Sequence, residues 1–230
     1  MKVLAIDTST KFLCLGLTDK THFYECRIEL SRRYLAQLVP NVKRTLQALG
    51  WNVQDLDYFA VGLGPGSFTG LRVGLAAIKA FSWAYKKPIT GISTLDIIAN
   101  NSRNRDKPIV VAMDARRNLI YCSMYKIKSK VFRRVSRDYL LQKEEFVKKV
   151  GNNVLITGDA LQLHKDFFLE HLNGIECLDK DYWYPETHNM LLLALDNIKE
   201  KRISSAFDIK PRYLYPKECQ IGSSNRPLKE

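Results

Sequence analysis

Gly62-Leu63-Gly64-Pro65-Gly66-Ser67-Phe68-Thr69-Gly70-Leu71-Arg72-Val73-Gly74 is the stretch on which the reading of this chain turns. It follows the apolar run Tyr58 to Val61, which reads as a buried strand, and leads into Leu71 to Tyr85, which reads as a long helix. A strand, a glycine-rich turn and a helix together aim backbone N–H groups at an anion. Glycines let the backbone approach closely, Pro65 stiffens the turn, and Ser67 and Thr69 add hydroxyls. The stretch is not a Walker A loop, because no Gly-Lys-Ser/Thr closes it. Its glycines are wrongly spaced for the dinucleotide fingerprint, and Ser67 lacks the preceding glycine of a nucleophile elbow. Spacing alone leaves two equal readings: a phosphate cradle, or a tight connection that packs the helix on its sheet.

The flanking chain is ordinary in bulk and unusual in charge. With 46% apolar residues over 230 positions, it can bury a real core. No stretch is long enough to span a bilayer, and Met1 to Ile6 meets Asp7 too soon for a signal peptide. Cys14, Cys26, Cys122, Cys177 and Cys219 are scattered without a C-x-x-C pair. That pattern points to a reducing, cytoplasmic setting and against zinc. The net charge of +12 is spread over both halves and is densest from Lys126 to Arg137. Such a surplus attracts nucleic acid or acidic partners. For the individual cations of that run the preferred reading is a solvated hairpin in which they alternate with Ile127, Val131, Phe132 and Val135, while the overall surplus suits an RNA-associated role.

In chain order, Val3 to Ile6 and Phe12 to Leu17 predict a hairpin around Asp7-Thr8-Ser9-Thr10, and His22 to Leu30 a third strand. Asp7 at a strand end suits a metal–phosphate complex, or an Asx turn that bonds its own backbone. Leu35, Leu38, Val39, Val42, Leu46 and Leu49 recur at helical spacing, with Ser31 as candidate cap and Pro40 expected to give a kink or an irregular first part. The helix from Leu71 carries few charges, as befits deep burial or a partner surface. Thr94 is placed as a cap, and Asn100 to Pro108 as a linker. Val110-Val111-Ala112-Met113-Asp114 then repeats the pattern of Val3-Leu4-Ala5-Ile6-Asp7, and a return strand, Leu119 to Tyr125, follows. Two lobes on one plan are expected, each presenting one acid. A third strand at Lys130–Val135, helices near Glu144–Val150, Leu161–Leu172 and Glu186–Lys201, and an extended Lys210–Pro216 complete the reading. The chain from Gly222 onward reads as disordered.

Taken together, Leu4-Ala5-Ile6-Asp7-Thr8-Ser9, the Gly64–Gly74 stretch, Ile92-Ser93-Thr94-Leu95, Asp114-Ala115-Arg116 with Tyr121, Gly158-Asp159 and Pro211-Arg212-Tyr213-Leu214 resemble the TsaB (YeaZ) family. The resemblance runs to about Tyr215. It implies an α/β, actin-like (hexokinase-like ATPase) fold of two similar lobes with mixed sheets. The first lobe is expected at 1–104, with 206–230 packing back on it, and the second at 105–205. Asp7, Thr8, Gly64, Gly66, Ser67, Thr69, Gly70 and Asp114 would line a phosphate or nucleotide cleft, with ATP or ADP plus magnesium as the candidate cofactor. The implied role is a non-catalytic subunit in forming threonylcarbamoyladenosine in transfer RNA. Its partners would be the catalytic relative TsaD and the ATPase TsaE, with transfer RNA reached through the complex and no membrane contact. A homodimer through the same surface stands as an alternative. The dimer contact is expected on the first lobe's two helices, through Leu38, Val42, Leu71, Leu75 and Ile78. Thr94 and Ile98 align with the metal-binding His-x-x-x-His of TsaD, so no catalytic residue and no metal ligand is assigned here. His164 and His171 are two helical turns apart, roughly 10 Å, too far to share a metal. Tyr34 replaces a histidine that is common in the family. The rival reading is a stand-alone ATP-binding kinase or ATPase of the same fold.

Overall fold

A computed structural model describes residues 1–29, 37–128 and 131–215. The expectations on Ser31, on Tyr34 and on the chain from Gly222 lie outside the described residues. Five strands form the first sheet: β1 (Val3–Asp7), β2 (Phe12–Thr18), β3 (Phe23–Glu29), β4 (Tyr58–Gly62) and β5 (Ile89–Ile92), in the order β3-β2-β1-β4-β5. The first three run as an antiparallel meander, and β1, β4 and β5 are parallel. The second sheet repeats the plan. It contains β6 (Ile109–Arg116), β7 (Leu119–Lys128), β8 (Val131–Arg134), β9 (Tyr139–Gln142), β10 (Leu155–Thr157) and β11 (Glu176–Cys177). Its order is β11-β10-β6-β7-β8, with β9 also pairing with β7. The two-lobed α/β architecture with mixed sheets is therefore present. The repeat between Val3–Asp7 and Val110–Asp114 is a repeat of structure, because β1 and β6 hold the same central place.

Central strands are buried on both faces, which is why they read as continuous apolar runs. In β1, Leu4 and Ile6 face one way and Val3 and Ala5 the other. The first face packs on α1 (Leu38–Ala48) and α2 (Phe68–Tyr85), through Leu38, Val42, Leu46, Leu75 and Ile78. The second packs on α6 (Thr187–Lys199), through Met190, Leu191 and Ala194. Gly16 permits that approach, because a Cβ there would strike Leu191 and Thr187. Thus α6, inside the 105–205 range expected for the second lobe, covers the first sheet instead. Between the sheets, α3 (Thr94–Asn100) inserts Leu95, Ile98 and Ala99 against Ile109, Val111 and Met113. The far face of the second sheet is covered by α4 (Lys143–Val150) and α5 (Leu161–His171), where Phe146 stacks on Phe168 at 4.6 Å.

Pro40 produces no kink. Helix α1 begins at Leu38, so Pro40 sits in the first turn, where no intrahelical bond is lost. Helix α2 begins three residues earlier than its hydrophobic period suggests, because Ser67 caps it through a bond from Gly70 N. After α6 the chain straps across both lobes. Ile209 is buried in the first core, Tyr213 lies on Phe68 at 5.2 Å, and the Tyr215 hydroxyl donates to the Ala115 carbonyl at 2.8 Å.

Ile78 is fully buried between α2 and the sheet, whereas Trp83 is 68% exposed on the opposite side. Ile78→Ala is expected to cost about 2–5 kcal/mol in denaturant unfolding. Trp83→Ala should stay within about 0.5 kcal/mol of the parent.

Candidate functional site

The candidate site begins at Asp7, the last residue of β1, which has no solvent exposure. Its Oδ1 accepts from Ser9 N at 2.7 Å and from Ser9 Oγ at 2.6 Å. Its Oδ2 accepts from Thr94 Oγ1 at 2.9 Å, and the same hydroxyl lies 2.9 Å from Ser9 Oγ. Burial pushes the Asp7 carboxyl above its usual range, against the pull of these hydrogen bonds. This is the Asx turn that the sequence allowed, with one partner it did not show, Thr94. Thr94 is not a cap. It is the first residue of α3, and its hydroxyl turns inward to the carboxylate.

The glycine stretch lies directly on this turn. Ser67 N donates to Ser9 O at 2.7 Å, and Thr8 Oγ1 donates to Gly70 O at 2.7 Å. A Cβ at Gly66 would meet the Ser9 carbonyl oxygen, and one at Gly70 the Thr8 carbonyl oxygen. A Cβ at Gly62 would meet the Asp7 carboxylate. Gly64, at φ +88°, presents its carbonyl to Thr94 N at 2.9 Å. The structure thus brings together Asp7, Thr8, Gly64, Gly66, Ser67 and Gly70. Their polar groups face one another: Ser67 N, Gly70 N and the Thr8 hydroxyl are all bonded within the fold. Thr69 is exposed on the first turn of α2. This set does not fit a magnesium–nucleotide group, since its carboxylate is sealed and these donors are taken.

Asp114 holds the corresponding place in the second sheet. Its Oδ1 accepts from Arg116 N at 2.8 Å, just as Asp7 accepts from Ser9 N. Its own N–H donates to Asp159 Oδ1 at 2.8 Å, and Arg116 pairs with its Oδ2 at 3.2 Å. Burial raises the Asp159 carboxyl to about 6, and the Asp114 charge adds to the rise. Asp7 and Asp114 therefore each serve their own lobe's turn. Among the described residues no group of three or more His, Cys, Asp or Glu side chains could hold a metal ion.

The sequence reading missed a junction built on Arg134. Its guanidinium reaches Asp96 at 2.9 Å, Asp138 at 2.7 Å and Ser93 at 2.8 Å. Arg212 reaches the other Asp138 oxygen at 3.2 Å, while its N–H donates to Leu63 O at 2.8 Å. Both lobes and the C-terminal strap thus meet at two arginines and two aspartates. Inside a basic run, Arg134 carries no pattern that would single it out.

One expectation is corrected outright. Leu38, Val42, Leu71, Leu75 and Ile78 are all at most 6% exposed, because these positions form the inner faces of α1 and α2. They cannot meet a partner in this fold. The outer face of α2 carries Thr69, Arg72, Ala76, Ala80 and Trp83, and that of α1 carries Val39, Lys43, Arg44 and Gln47.

Comparison with known proteins places this geometry. A family profile described as TsaD, tRNA N6-adenosine threonylcarbamoyltransferase, matches residues 28–215. The tRNA threonylcarbamoyladenosine biosynthesis protein TsaB of Bacillus subtilis is 33% identical over 225 residues, which covers 96% of each chain. The chain belongs to the TsaB family. TsaB of Escherichia coli is 26% identical over 224 residues, 93% of this chain and 94% of that one. The solved YeaZ from Pseudomonas aeruginosa superposes with a TM-score of 0.78 at 21% identity, covering 93% of this chain and all of that one, and so shares the fold.

Two outcomes are expected. Gly70→Ala, a change that favours most helices, should instead destabilise by about 1–3 kcal/mol, because the new methyl meets the Thr8 carbonyl. Asp159 ionises near 3.8 when unfolded and near 6 when folded, so the native state holds the extra proton between those values. The wild-type melting temperature should therefore fall relative to Asp159→Asn as pH rises from about 4 to about 6, and the difference should level off above that window. Melting curves of both proteins across that range check it.

Proposed function

We propose that this TsaB-family chain is a non-catalytic subunit in the formation of threonylcarbamoyladenosine in transfer RNA, pairing with TsaD and working with the ATPase TsaE. The observation that carries the reading is the match to TsaB proteins, which are named for this biosynthesis, over nearly the full length of both chains. The site chemistry supports it. Where the resemblance places the paired metal ligands of TsaD, the Thr94 hydroxyl is bonded to Asp7 and Ile98 is fully buried in the core. The stand-alone kinase reading relies on Asp7 and the glycine loop to hold phosphate, and those groups are bonded to each other. The chain would then act by its surface. The outer face of α2 presents Trp83 and Arg72, residue types enriched at protein interfaces, which suits a protein partner. Binding there would favour one conformer of the catalytic subunit.

Reconstitution tests this. With TsaD, TsaE and transfer RNA from the same organism, omission of this chain should abolish modification. Trp83→Asp should lower both affinity for TsaD and modification at limiting chain, with an unchanged melting temperature. Equal modification with and without the chain would overturn the proposal.

A further inference from the structure

The densest basic run of the sequence, Lys126 to Arg137, is sorted by the fold into two kinds of cation. Arg134 points inward and is neutralised by Asp96 and Asp138. Lys126, Arg133 and Arg137 are exposed, and none of them makes an ion pair among the described residues. Lys126 and Arg133 face each other directly across the β7–β8 ladder. Two like charges in that position weaken a strand pair. Edge strands often carry lysine to prevent aggregation, but that role does not call for cations directly opposite each other.

The row continues on the same side of the sheet. Cys122 pairs with Tyr139, and both belong to the core beneath α4, as does Met124. Side chains two apart share a face, so Cys122, Met124 and Lys126 form one line. Tyr139 at its inner end carries two more cations: Arg137 lies 5.3 Å and Lys149 4.7 Å from the ring centroid. Four residues of strand separate the Tyr139 pair from Lys126, about 13 Å. The result is a strip of Lys149, Arg137, Arg133 and Lys126 with exposed Val135 between them. Asp138, the carboxylate next in sequence to Arg137, is only 8% exposed and is already shared by Arg134 and Arg212.

We propose that this strip, along β8 and the C-terminal end of α4, binds the phosphate backbone of the transfer RNA substrate. The inference rests on the proposed role in transfer RNA modification, which supplies the polyanion. Two pairs of exposed cations about 13 Å apart along the edge strand β8 and the end of α4, without ion-pair partners among the described residues, match a phosphate backbone. Backbone contacts of this kind position a nucleic acid without reading its sequence. Each one lost should lower affinity and flatten the salt dependence by about one unit.

The test uses the full chain assembled with TsaD and TsaE. Transfer RNA affinity is measured over a range of salt for the wild type, for Lys126→Ala/Arg133→Ala, and for the control Lys165→Ala/Lys199→Ala, whose two exposed cations lie on α5 and α6. The strip variant should bind about three- to tenfold more weakly, with a log–log salt slope smaller by about 2. Its KM for transfer RNA should rise while its melting temperature is not lowered, since the opposed charges are removed, and the control should bind as wild type does. Wild-type affinity and slope in the strip variant, or an equal loss in the control, would overturn the proposal. So would strip-dependent binding of polyglutamate with no effect on transfer RNA, which would assign the strip to an acidic protein. Failure of the subunit reading looks different: modification would then proceed without the chain at all.

Discussion

The buried carboxylate of Asp7 is the constraint on which the rest of the first lobe depends. A carboxylate removed from water without a cation is costly unless its oxygens are bonded. Ser9 and Thr94 supply those bonds, and they come from two different elements. The turn after β1 is thereby tied to the start of α3. Gly66 and Gly70 must lack side chains for α2 to close over that turn. The glycine stretch is thus explained by the carboxylate it covers. Ser93, next to Thr94, extends the same chain of contacts to Arg134, Asp138 and Arg212, and so to the second lobe and the strap.

The two lobes show one plan put to different uses. Both central strands end in an aspartate that bonds the backbone two residues on. In the first lobe this turn is sealed under α2. In the second it stays nearer the surface, with Arg116 paired to Asp114 and Asp159 supporting the strand end. Burial, rather than residue type, separates the two acids. It leaves a molecule whose open features are surfaces: the outer face of α2 and the cationic edge of the second sheet.

Much of this was legible in the sequence. Central strands, the strand–Asp repeat and the helices follow from period and punctuation, because burial on one face or on both writes itself into apolar spacing. Other features left no such trace. Periodicity marked Leu38, Val42, Leu71, Leu75 and Ile78 as apolar, but an apolar stripe reads the same whether it meets its own sheet or a partner. The placement of α6 depends on Gly16 opening the far face of the first sheet, a contact between residues far apart in the chain. Thr94 could be read as a cap because a hydroxyl before a helix usually is one. Its use by a carboxylate 87 positions away is a property of the fold.

The groups that resemble a phosphate cradle in sequence are bonded to one another in the fold. Calorimetric titration of the purified chain with ATP and magnesium tests this most directly. No saturable heat is expected at millimolar nucleotide. Stoichiometric binding that is lost on Asp7→Asn in a folded protein would contradict it.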